Sequence, residues 1–334
     1  MKYSLLKKLK KGVLVVIASV FLINSGLSNG EVWAKEQDES YANATSWMGQ
    51  IDGEKQLSEI TIPGTHDSGT QYVPLGFVMR CQNTSISEQL NAGYRYLDLR
   101  VAINEDKNDG QSLIIVHNFA KCHTQHSYFG DYLTFSDVCE SVYDFLDENT
   151  SETVVLNIKI EDDEHSISDI QKFIHQEIGE NADKWYTDTE IPTLDEVRGK
   201  IVLCTRFDDE AGYDETGLLL QWSDQGDTTV VDMPYELFVT DEFRLWVQDR
   251  YSYDVDDKYD AVIDSLENCE ADENTIFLNF VSTSGKGTVG HPKGYAKQLN
   301  KLLKEYELKA DTSYGIIIVD FGDAELAQHI YETN

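Results

Sequence analysis

Residues 60–70 read Ile60-Thr61-Ile62-Pro63-Gly64-Thr65-His66-Asp67-Ser68-Gly69-Thr70, and this stretch decides the predicted fold. It begins with alternating β-branched residues, which predict a strand. Pro63 and Gly64 are expected to end that strand, because proline donates no backbone hydrogen bond and glycine adopts unusual dihedral angles. His66 and Asp67 follow directly. Parallel α/β folds place their functional residues at such positions, just beyond the carboxyl end of a strand.

Seven further apolar runs of strand length follow along the chain, and segments with helical spacing separate most of them. The eight expected strands lie within 60–62, 94–100, 113–117, 153–159, 200–206, 245–249, 275–280 and 315–320. These runs are nearly continuous in apolar residues, which is typical of a parallel sheet covered by helices. Eight strands that alternate with helices favour an α/β fold of the (β/α)8 TIM-barrel type, with one closed parallel barrel in one domain.

The first 34 residues have the features of a secretory signal peptide. Lysines precede the apolar stretch Gly12–Leu27, and Val32-Trp33-Ala34 offers a cleavage site with a small residue. The stretch is too short and wrongly flanked for a membrane anchor. We therefore expect a secreted protein with a signal peptide over 1–34, a polar extension over 35–46 and the barrel over 47–334.

The chain is strongly acidic, with a formal net charge of −33. Nucleic acid is therefore excluded as a partner, because phosphate binding needs clustered lysine and arginine. Anionic membranes would repel the protein at long range, so any lipid contact must be local and apolar.

The five cysteines are an odd number for an exported protein, so at least one thiol stays free or pairs between chains. Cys204 lies inside an apolar run, which favours a buried free thiol. Cys81 and Cys122 both follow expected strand ends and could meet. No cysteine or histidine spacing is typical of a zinc site.

Seven of the eight expected strands carry a polar or ionisable residue at or just past the carboxyl end. In a barrel these ends converge on one mouth, where barrel enzymes bind and react with their substrates. The residues are His66, Asp67, Asp98, Arg100, His117, Lys159, Arg206, Asp249, Tyr251 and Asp320.

This set of side chains suits phosphodiester cleavage. Two histidines can act as acid and base near neutral pH, and carboxylates fix their tautomers. An arginine beside them offers planar donors for phosphate oxygens. A serine hydrolase would use Ser68, but no nucleophile-elbow motif surrounds it.

Simpler explanations exist for single residues. Asp98 could merely pair with Arg100, and Lys159 could be a lysine that extends its stem along the barrel. The carboxylates within 254–264 lack the glycine and final glutamate of an EF-hand loop, so we expect a solvated acidic face there.

Several motifs resemble the catalytic region of bacterial phosphatidylinositol-specific phospholipase C. In the first half they are Ile62-Pro63-Gly64-Thr65-His66-Asp67-Ser68, Tyr96-Leu97-Asp98-Leu99-Arg100 and Ile115-Val116-His117-Asn118. In the second half they are Val247-Gln248-Asp249-Arg250-Tyr251, Leu278-Asn279-Phe280 and Val319-Asp320. The resemblance runs from about Trp47 to the C-terminus and includes the first block as its most specific part.

The resemblance implies a distorted barrel that cleaves phosphatidylinositol, or glycosyl-phosphatidylinositol anchors, to diacylglycerol and a cyclic inositol phosphate. His66, held by Asp320, would take the proton of the inositol 2-hydroxyl. His117, with Asp67, would protonate the departing diacylglycerol. The cyclic product would then be hydrolysed slowly with the roles of the two histidines reversed.

The resemblance also assigns the remaining positions. Arg100 would bind a non-bridging phosphate oxygen, and Asp98 would orient its neighbours. The residues implied for the inositol ring are Lys159, Arg206, Asp249 and Tyr251. Relatives that need a metal have acidic ligands around position 100, so Arg100 resembles the metal-independent branch, and we predict no metal and no cofactor.

An apolar stretch over 73–79 is expected on the barrel rim. Leu75, Phe77, Val78 and Met79 would dip into the bilayer interface in a peripheral, transient contact, and the alternative is a rim loop packed on its own barrel. We expect a monomer. Two other functions remain open: a glycerophosphodiester phosphodiesterase, whose Glu-x-Asp metal cluster is not found in the sequence, and a secreted inositol-lipid binding module without turnover.

Overall fold

The protein is described here by a computed structural model over residues 43–106, 110–126, 130–226, 236–240, 242–287 and 290–334. The predicted signal peptide over 1–34, and the polar extension up to residue 42, lie outside the described residues. The described residues belong to one compact unit. The division into signal peptide, extension and barrel stays a prediction.

Twelve strands are present in the described residues. They are β1 (Ile62–Thr65), β2 (Tyr96–Asp106), β3 (Gly110–His117), β4 (Ala120–Lys121), β5 (Val154–Ile160), β6 (Trp185–Tyr186), β7 (Ile201–Thr205), β8 (Leu218–Leu219), β9 (Glu236–Val239), β10 (Arg244–Gln248), β11 (Thr275–Phe280) and β12 (Ile316–Val319). Each of the eight expected strands is found among them.

The helices are α1 (Gly76–Met79), α2 (Ile86–Asn91), α3 (Phe135–Glu148), α4 (Ile167–Glu180), α5 (Leu194–Val197), α6 (Val255–Glu267), α7 (Pro292–Glu305) and α8 (Ala324–Tyr331). Side-chain caps start most of the longer ones. Thr134, Ser166 and Asp254 each accept the backbone N–H three residues on, which satisfies a donor that the first turn leaves open.

The main sheet has the strand order β6-β7-β5-β2-β1-β12-β11-β10-β9. Neighbours from β6 to β10 run parallel, and β9 is antiparallel to β10. The predicted α/β barrel is thus confirmed in its distorted form. It is not closed, because in the described residues no ladder joins β7 or β8 to β10.

The third expected strand is not a parallel strand of the barrel, contrary to the prediction. β3 pairs antiparallel with β2, with Val101 opposite Ile115, and β4 then pairs with β3. Only three residues separate β2 from β3. Such a short connection can form a hairpin, whereas a parallel strand needs a crossover of about a dozen residues or more. His117 therefore reaches the barrel mouth at the end of a hairpin arm.

The first strand also differs from its prediction, because β1 includes Pro63 and Gly64 instead of ending before them. The Pro63 carbonyl accepts the backbone N–H of Arg95, so proline contributes an acceptor where it has no donor. A Cβ on Gly64 would lie 2.9 Å from the ring of Tyr96, which makes glycine necessary for the close approach of β2.

Both faces of the parallel strands are buried. On β5, Val154 and Leu156 pack in one apolar cluster with α3 and α4, whereas Val155 packs in another with β1 and β12. This explains the nearly continuous apolar runs in the sequence. None of the five cysteines is disulfide-bonded, so Cys81 and Cys122 do not pair, and Cys204 is a buried free thiol as expected.

Candidate active site

The register of the sheet brings the predicted catalytic residues together. Thr65 of β1 lies opposite Val319 of β12, so the next residues, His66 and Asp320, emerge side by side. Arg100 of β2 lies one strand further along the same edge of the sheet. All of these side chains project at the carboxyl ends of parallel strands.

His66 has a partner on each ring nitrogen. Its Nδ1 lies 2.8 Å from Asp320 Oδ1, and its Nε2 lies 3.3 Å from Asp67 Oδ2 and 2.9 Å from a terminal nitrogen of Arg100. Because a carboxylate only accepts, Nδ1 carries a proton and Nε2 is the atom that exchanges one. Arg100 can donate to Nε2 when that atom is deprotonated, and Asp67 accepts from Nε2 when it is protonated.

Electrostatics favour the charged form of this histidine. Burial by itself lowers the pKa of His66, but the carboxylates of Asp67 and Asp320 outweigh burial and raise the pKa to about 9. Arg100 opposes them only in part. In the free protein the neutral base is thus a minority species at neutral pH, and its share grows as pH rises.

Asp67 lies between the two histidines. Its Oδ2 is 3.3 Å from His66 Nε2 and 3.3 Å from His117 Nε2, and its Oδ1 is 2.5 Å from Arg100 Nε. Burial by itself raises the pKa of Asp67, but Arg100 and His117 outweigh it and hold the pKa well below its usual range. The carboxylate is therefore a permanent negative charge that both imidazolium rings can face.

The backbone at Asp67 is unusual for a non-glycine residue, with φ of +44°. The buried carboxylate of Asp98 holds this turn, because its Oδ2 accepts the Asp67 N–H at 3.4 Å. Asp98 also lies 3.8 Å from Arg100. It thus contacts both neighbours and is not simply an ion-pair partner of the arginine.

His117 ends β3 and is fixed from the rim. Its Nδ1 donates to the Met79 carbonyl at 2.7 Å, because a carbonyl can only accept. Nε2 of His117 is therefore the proton-exchanging atom and points at Asp67. The next residue, Asn118, has φ of +53° and turns the chain away immediately after the histidine.

Glu161 is a site residue that the sequence reasoning missed. Its Oε1 lies 2.8 Å from Arg100 and 2.9 Å from Lys159 Nζ, and its Oε2 accepts the Asn118 N–H at 2.6 Å. Burial raises the pKa of Glu161, but Arg100 and Lys159 outweigh it and lower the pKa to about 2. Its position two residues after Lys159, at the end of β5, was the signal that could have revealed it.

Of the four residues predicted to bind a ring, Lys159 contacts Glu161 on the catalytic side, whereas Arg206, Asp249 and Tyr251 lie with Trp222 on the other side of the mouth. The Arg206 guanidinium lies 3.5 Å from the ring centroid of Trp222, and Trp222 Nε1 donates to Asp249 at 3.1 Å. Tyr251 is partly exposed, and its hydroxyl donates to Asp224 at 2.7 Å. Trp222 was missed because it lies in an irregular segment without strand or helix periodicity.

Phe280 connects the two sides of the mouth. Its ring packs edge-on against His66 with centroids 6.1 Å apart, and it packs at a tilt against Trp222 at 5.6 Å. His66 and Trp222 therefore share one wall at the end of β11.

The donor atoms at the site do not suit a hard cation. In the part of the chain that the structure describes, one group of metal-type ligands stands out, formed by His66, Asp67 and Cys81 within 4.8 Å of one another. It offers a single carboxylate, whereas calcium takes six to eight oxygens. Burial, with help from Asp320 and Asp67, raises the pKa of Cys81 well above its usual value, so the thiol keeps its proton. Metal independence stays a prediction.

The rim residues divide into two kinds. Phe77 of α1 is exposed, whereas Leu75, Val78 and Met79 are half-buried, and Met79 packs against the apolar core. Insertion of this stretch into a bilayer therefore stays a prediction, and packing on the barrel is seen for Met79. Phe119, two residues after His117, is 61% exposed and was not predicted.

Comparison with known proteins shows which family this chain resembles. Residues 60–207 match the family model described as phosphatidylinositol-specific phospholipase C, X domain. The match covers 148 of the 334 residues, so this part of the chain is similar to that domain. The matched range contains both catalytic histidine candidates and ends just after Arg206, whereas Asp249, Tyr251 and Asp320 lie beyond it.

Two named phosphodiesterases are similar to most of the chain. A 1-phosphatidylinositol phosphodiesterase of Staphylococcus aureus is 26% identical over 331 residues, which cover 94% of this chain and 94% of the relative. One of Listeria monocytogenes is 25% identical over 303 residues, with 86% and 84% covered.

Two solved structures of such phospholipases C share the fold. A crystal structure of the Staphylococcus aureus enzyme aligns with a TM-score of 0.71 at 23% identity, covering 88% of this chain and 98% of the other. The Listeria monocytogenes enzyme aligns with a TM-score of 0.65 at 22% identity, covering 87% and 98%. Among the described residues, no helix has the length and apolar character needed to cross a membrane.

Proposed function

We propose that this protein is a secreted phospholipase C that cleaves phosphatidylinositol to diacylglycerol and a cyclic inositol phosphate. One observation carries the proposal: the proton-exchanging nitrogens of His66 and His117 both lie 3.3 Å from the same oxygen of Asp67, and Arg100 contacts the other oxygen of that carboxylate. A base, an acid and a phosphate-binding cation are thus assembled at one point.

In the first step His66 acts as the base. Its neutral Nε2 takes the proton of the inositol 2-hydroxyl, and that oxygen attacks phosphorus. The Asp320 carboxylate, 2.8 Å from Nδ1, stabilises the imidazolium that forms. The bond between phosphorus and the glycerol oxygen breaks, and His117 Nε2 gives its proton to that oxygen as diacylglycerol leaves.

The second step reverses the roles. His117 is now neutral and takes a proton from water, whose oxygen attacks the cyclic phosphate. The bond between phosphorus and the inositol 2-oxygen breaks, and protonated His66 returns a proton to it. Asp67 faces both rings, so it stabilises whichever imidazole is charged at each stage.

Arg100 supplies the positive charge that the transition state needs. In the free protein its guanidinium is bound by Asp67 and Glu161. These contacts hold the planar donors in place, so binding a phosphate oxygen requires little reorganisation. The same carboxylates keep the pKa of Arg100 well above its usual value against the opposing effect of burial, so the charge is permanent.

The ring side would hold the inositol. Arg206, Asp249 and Lys159 offer donors and acceptors for hydroxyl groups, and Tyr251 offers a flat apolar face. Arg206 is already oriented by Trp222, since a guanidinium stacked on an indole loses most of its rotamer freedom.

The exposed aromatic residues at the mouth support a membrane-bound substrate. Phe77 precedes by two residues the carbonyl that fixes His117, and Phe119 follows His117 by two residues. An aromatic ring can enter the interfacial region of a bilayer without any attraction between opposite charges. An acidic protein depends on such apolar contacts, because anionic lipids repel it. The contact would place the mouth against the headgroup layer.

The test is turnover of phosphatidylinositol vesicles in excess chelator, with His66→Ala and His117→Ala as controls. Release of cyclic inositol phosphate by the native chain, lost in both variants, supports the proposal. Vesicle binding without any release would instead support an inositol-lipid binding module, and turnover that needs a divalent cation would contradict the role given to Arg100.

A further inference from the structure

A cavity lies beside the rim segment over residues 72–80, which includes the exposed Phe77. Its volume is about 100 Å³, room for roughly three waters at ~30 Å³ each or for one tetrahedral oxyanion. The lining residues are 72–76 and Arg80 of the rim segment, together with His123 and His126.

Three of the eight lining residues, Arg80, His123 and His126, are cationic or can become cationic, in a chain whose formal net charge is −33. Among the described residues Arg80 has no carboxylate at ion-pair distance, and its Nε is buried without a hydrogen-bond partner. Four other arginines each pair with a carboxylate; they are Arg95, Arg100, Arg198 and Arg244. A buried guanidinium nitrogen without a partner is costly, so a missing ligand is indicated.

The two histidines add donors to the same cavity. His123 is buried, and its Nδ1 donates to the Gly130 carbonyl at 3.0 Å, which leaves Nε2 for another partner. His126 lies edge-on to Tyr72 with ring centroids 6.4 Å apart. When protonated, an imidazole offers a further N–H to an anion.

Gly76 makes room for the arginine. A Cβ at position 76 would lie 2.7 Å from a terminal nitrogen of Arg80, so the guanidinium rests against the backbone of α1. A glycine at this place keeps the charged group against the cavity wall and not out in solvent.

We propose that this cavity binds a phosphate group, with Arg80 as its main cationic partner and His123 and His126 as further donors. The site goes beyond the proposed function, because it uses none of the catalytic residues and needs no turnover. The same chemistry is offered by a phospholipid headgroup and by free phosphate. Its position next to Leu75 and Gly76, close to exposed Phe77, puts it within the rim that would meet a bilayer.

Histidine side-chain NMR on the full protein tests the site, because His123 and His126 report on the cavity whereas His66 and His117 report on the active site. Titration with inorganic phosphate should shift the signals of His123 and His126 in a saturable manner. Arg80→Gln should weaken this response at least tenfold and leave the response of His66 and His117 within twofold. Circular dichroism would confirm that the variant is folded.

Two further variants sharpen the test. Gly76→Ala keeps every charge but pushes the guanidinium away from its place, so it should also weaken phosphate binding at His123 and His126 several-fold. Lys301→Gln is the matched control, because it removes one positive charge from a lysine whose side chain is 73% exposed on α7. It should leave the titration unchanged.

Vesicle sedimentation distinguishes the two sources of phosphate. The vesicles contain phosphatidylcholine and phosphatidylglycerol. The site is assigned to lipid headgroups if Arg80→Gln weakens vesicle binding at least several-fold and inorganic phosphate competes with that binding. Phosphate binding that depends on Arg80, with unchanged vesicle binding, assigns it to free phosphate. If His123 and His126 do not respond to phosphate, or respond equally in Arg80→Gln and the native chain, the proposal is wrong.

Discussion

The two sides of the mouth differ in what their charged side chains contact. The catalytic side is carried by β1, β2, β3 and β12, and the ring-binding side by β7 and β10. On the catalytic side Arg100 contacts Asp67 and Glu161, and each histidine has a partner on both ring nitrogens. On the ring side Arg206 lies on an indole and Asp249 accepts from the same indole.

The two sides also differ in the position of their strands in the sheet. β1, β2 and β12 are neighbours inside the parallel ladder and β3 pairs antiparallel with β2, whereas β7 and β10 flank the opening of the sheet. Proton transfer tolerates little error in distance, and recognition of a ring with many hydroxyl groups tolerates more. We therefore expect the adjacent strands β1, β2 and β12 to carry the chemistry and the strands that flank the opening to carry binding.

The largest effect is expected at the histidines. His66→Ala and His117→Ala should each lower kcat by about 10³-fold, since general acid–base catalysis contributes roughly 10²–10⁴-fold per residue. Release of cyclic inositol phosphate measures it, and retained vesicle binding shows that the fold persists. If one variant kept near-native kcat, the division of the mouth into a catalytic and a binding side would fail.

A smaller loss is expected for Arg100→Lys, which keeps the charge but removes the planar fork. The lysine can contact Asp67 or a phosphate oxygen but not both with the same geometry, so kcat should fall by about 10²-fold, as for loss of one transition-state donor. Glu161→Gln serves as the companion variant. Equal activity of Arg100→Lys and the native chain would show that charge alone is sufficient.

The pH dependence should follow His66. Its pKa is raised to about 9, so the neutral base grows about tenfold per pH unit below that value. With a water-soluble substrate, kcat/KM should rise with pH from 6 to 8. Asp320→Asn removes one carboxylate that favours the imidazolium, so the pKa of His66 falls and the rise shifts to lower pH. An unchanged profile in Asp320→Asn would contradict this assignment.

The same pKa has a consequence for stability. A histidine whose pKa is higher in the folded than in the unfolded protein stabilises the fold. The contribution is complete at pH values below the pKa in the unfolded state, about 6.5, and is lost as pH rises through the pKa in the folded state. The His66 contribution should therefore disappear between about pH 6.5 and 9. The difference in thermal midpoint between the native chain and His66→Gln, measured across that range, reports it.

On the ring side, Trp222→Ala should act on binding. It removes the surface under Arg206 and the donor to Asp249, so KM for a soluble inositol phosphodiester should rise about tenfold, consistent with a loss of roughly 1–2 kcal/mol. The value of kcat should change little. A fall in kcat with unchanged KM would show that this side also takes part in the chemistry.

The smallest effect is expected at the rim. Phe77→Ser and Phe119→Ser should each weaken vesicle binding several-fold, because a fully buried aromatic side chain contributes about 1.5–3 kcal/mol and these rings enter only in part. Turnover of a soluble substrate should be unchanged. Lower activity toward soluble substrate would mean that these residues act through His117 and not through the membrane.

Much of the site could be predicted because its residues follow strands. His66, Arg100, Lys159 and Asp320 each lie at the end of an apolar run, and parallel strands in one sheet bring such positions to one edge. Glu161 and Trp222 could not be found in this way. Glu161 lies two residues after Lys159, which had already been chosen as the functional residue of that strand. Trp222 lies in a segment without strand or helix periodicity.

The sequence by itself determined the α/β class, the set of strands and the residue types that meet at the mouth, because apolar periodicity and strand ends are local properties. Only the tertiary structure decided that β3 folds back on β2, that the sheet stays open beside β7, and that Asp67 stands between the two imidazoles. The hairpin forms because β2 extends to Asp106, beyond its predicted end at Arg100, which leaves three residues before β3. The other two features depend on the pairing of strands distant in sequence and on a turn at Asp67 with positive φ, which Asp98 holds from the neighbouring strand. Long-range pairing has no local signature, so it could not be read from residue order alone.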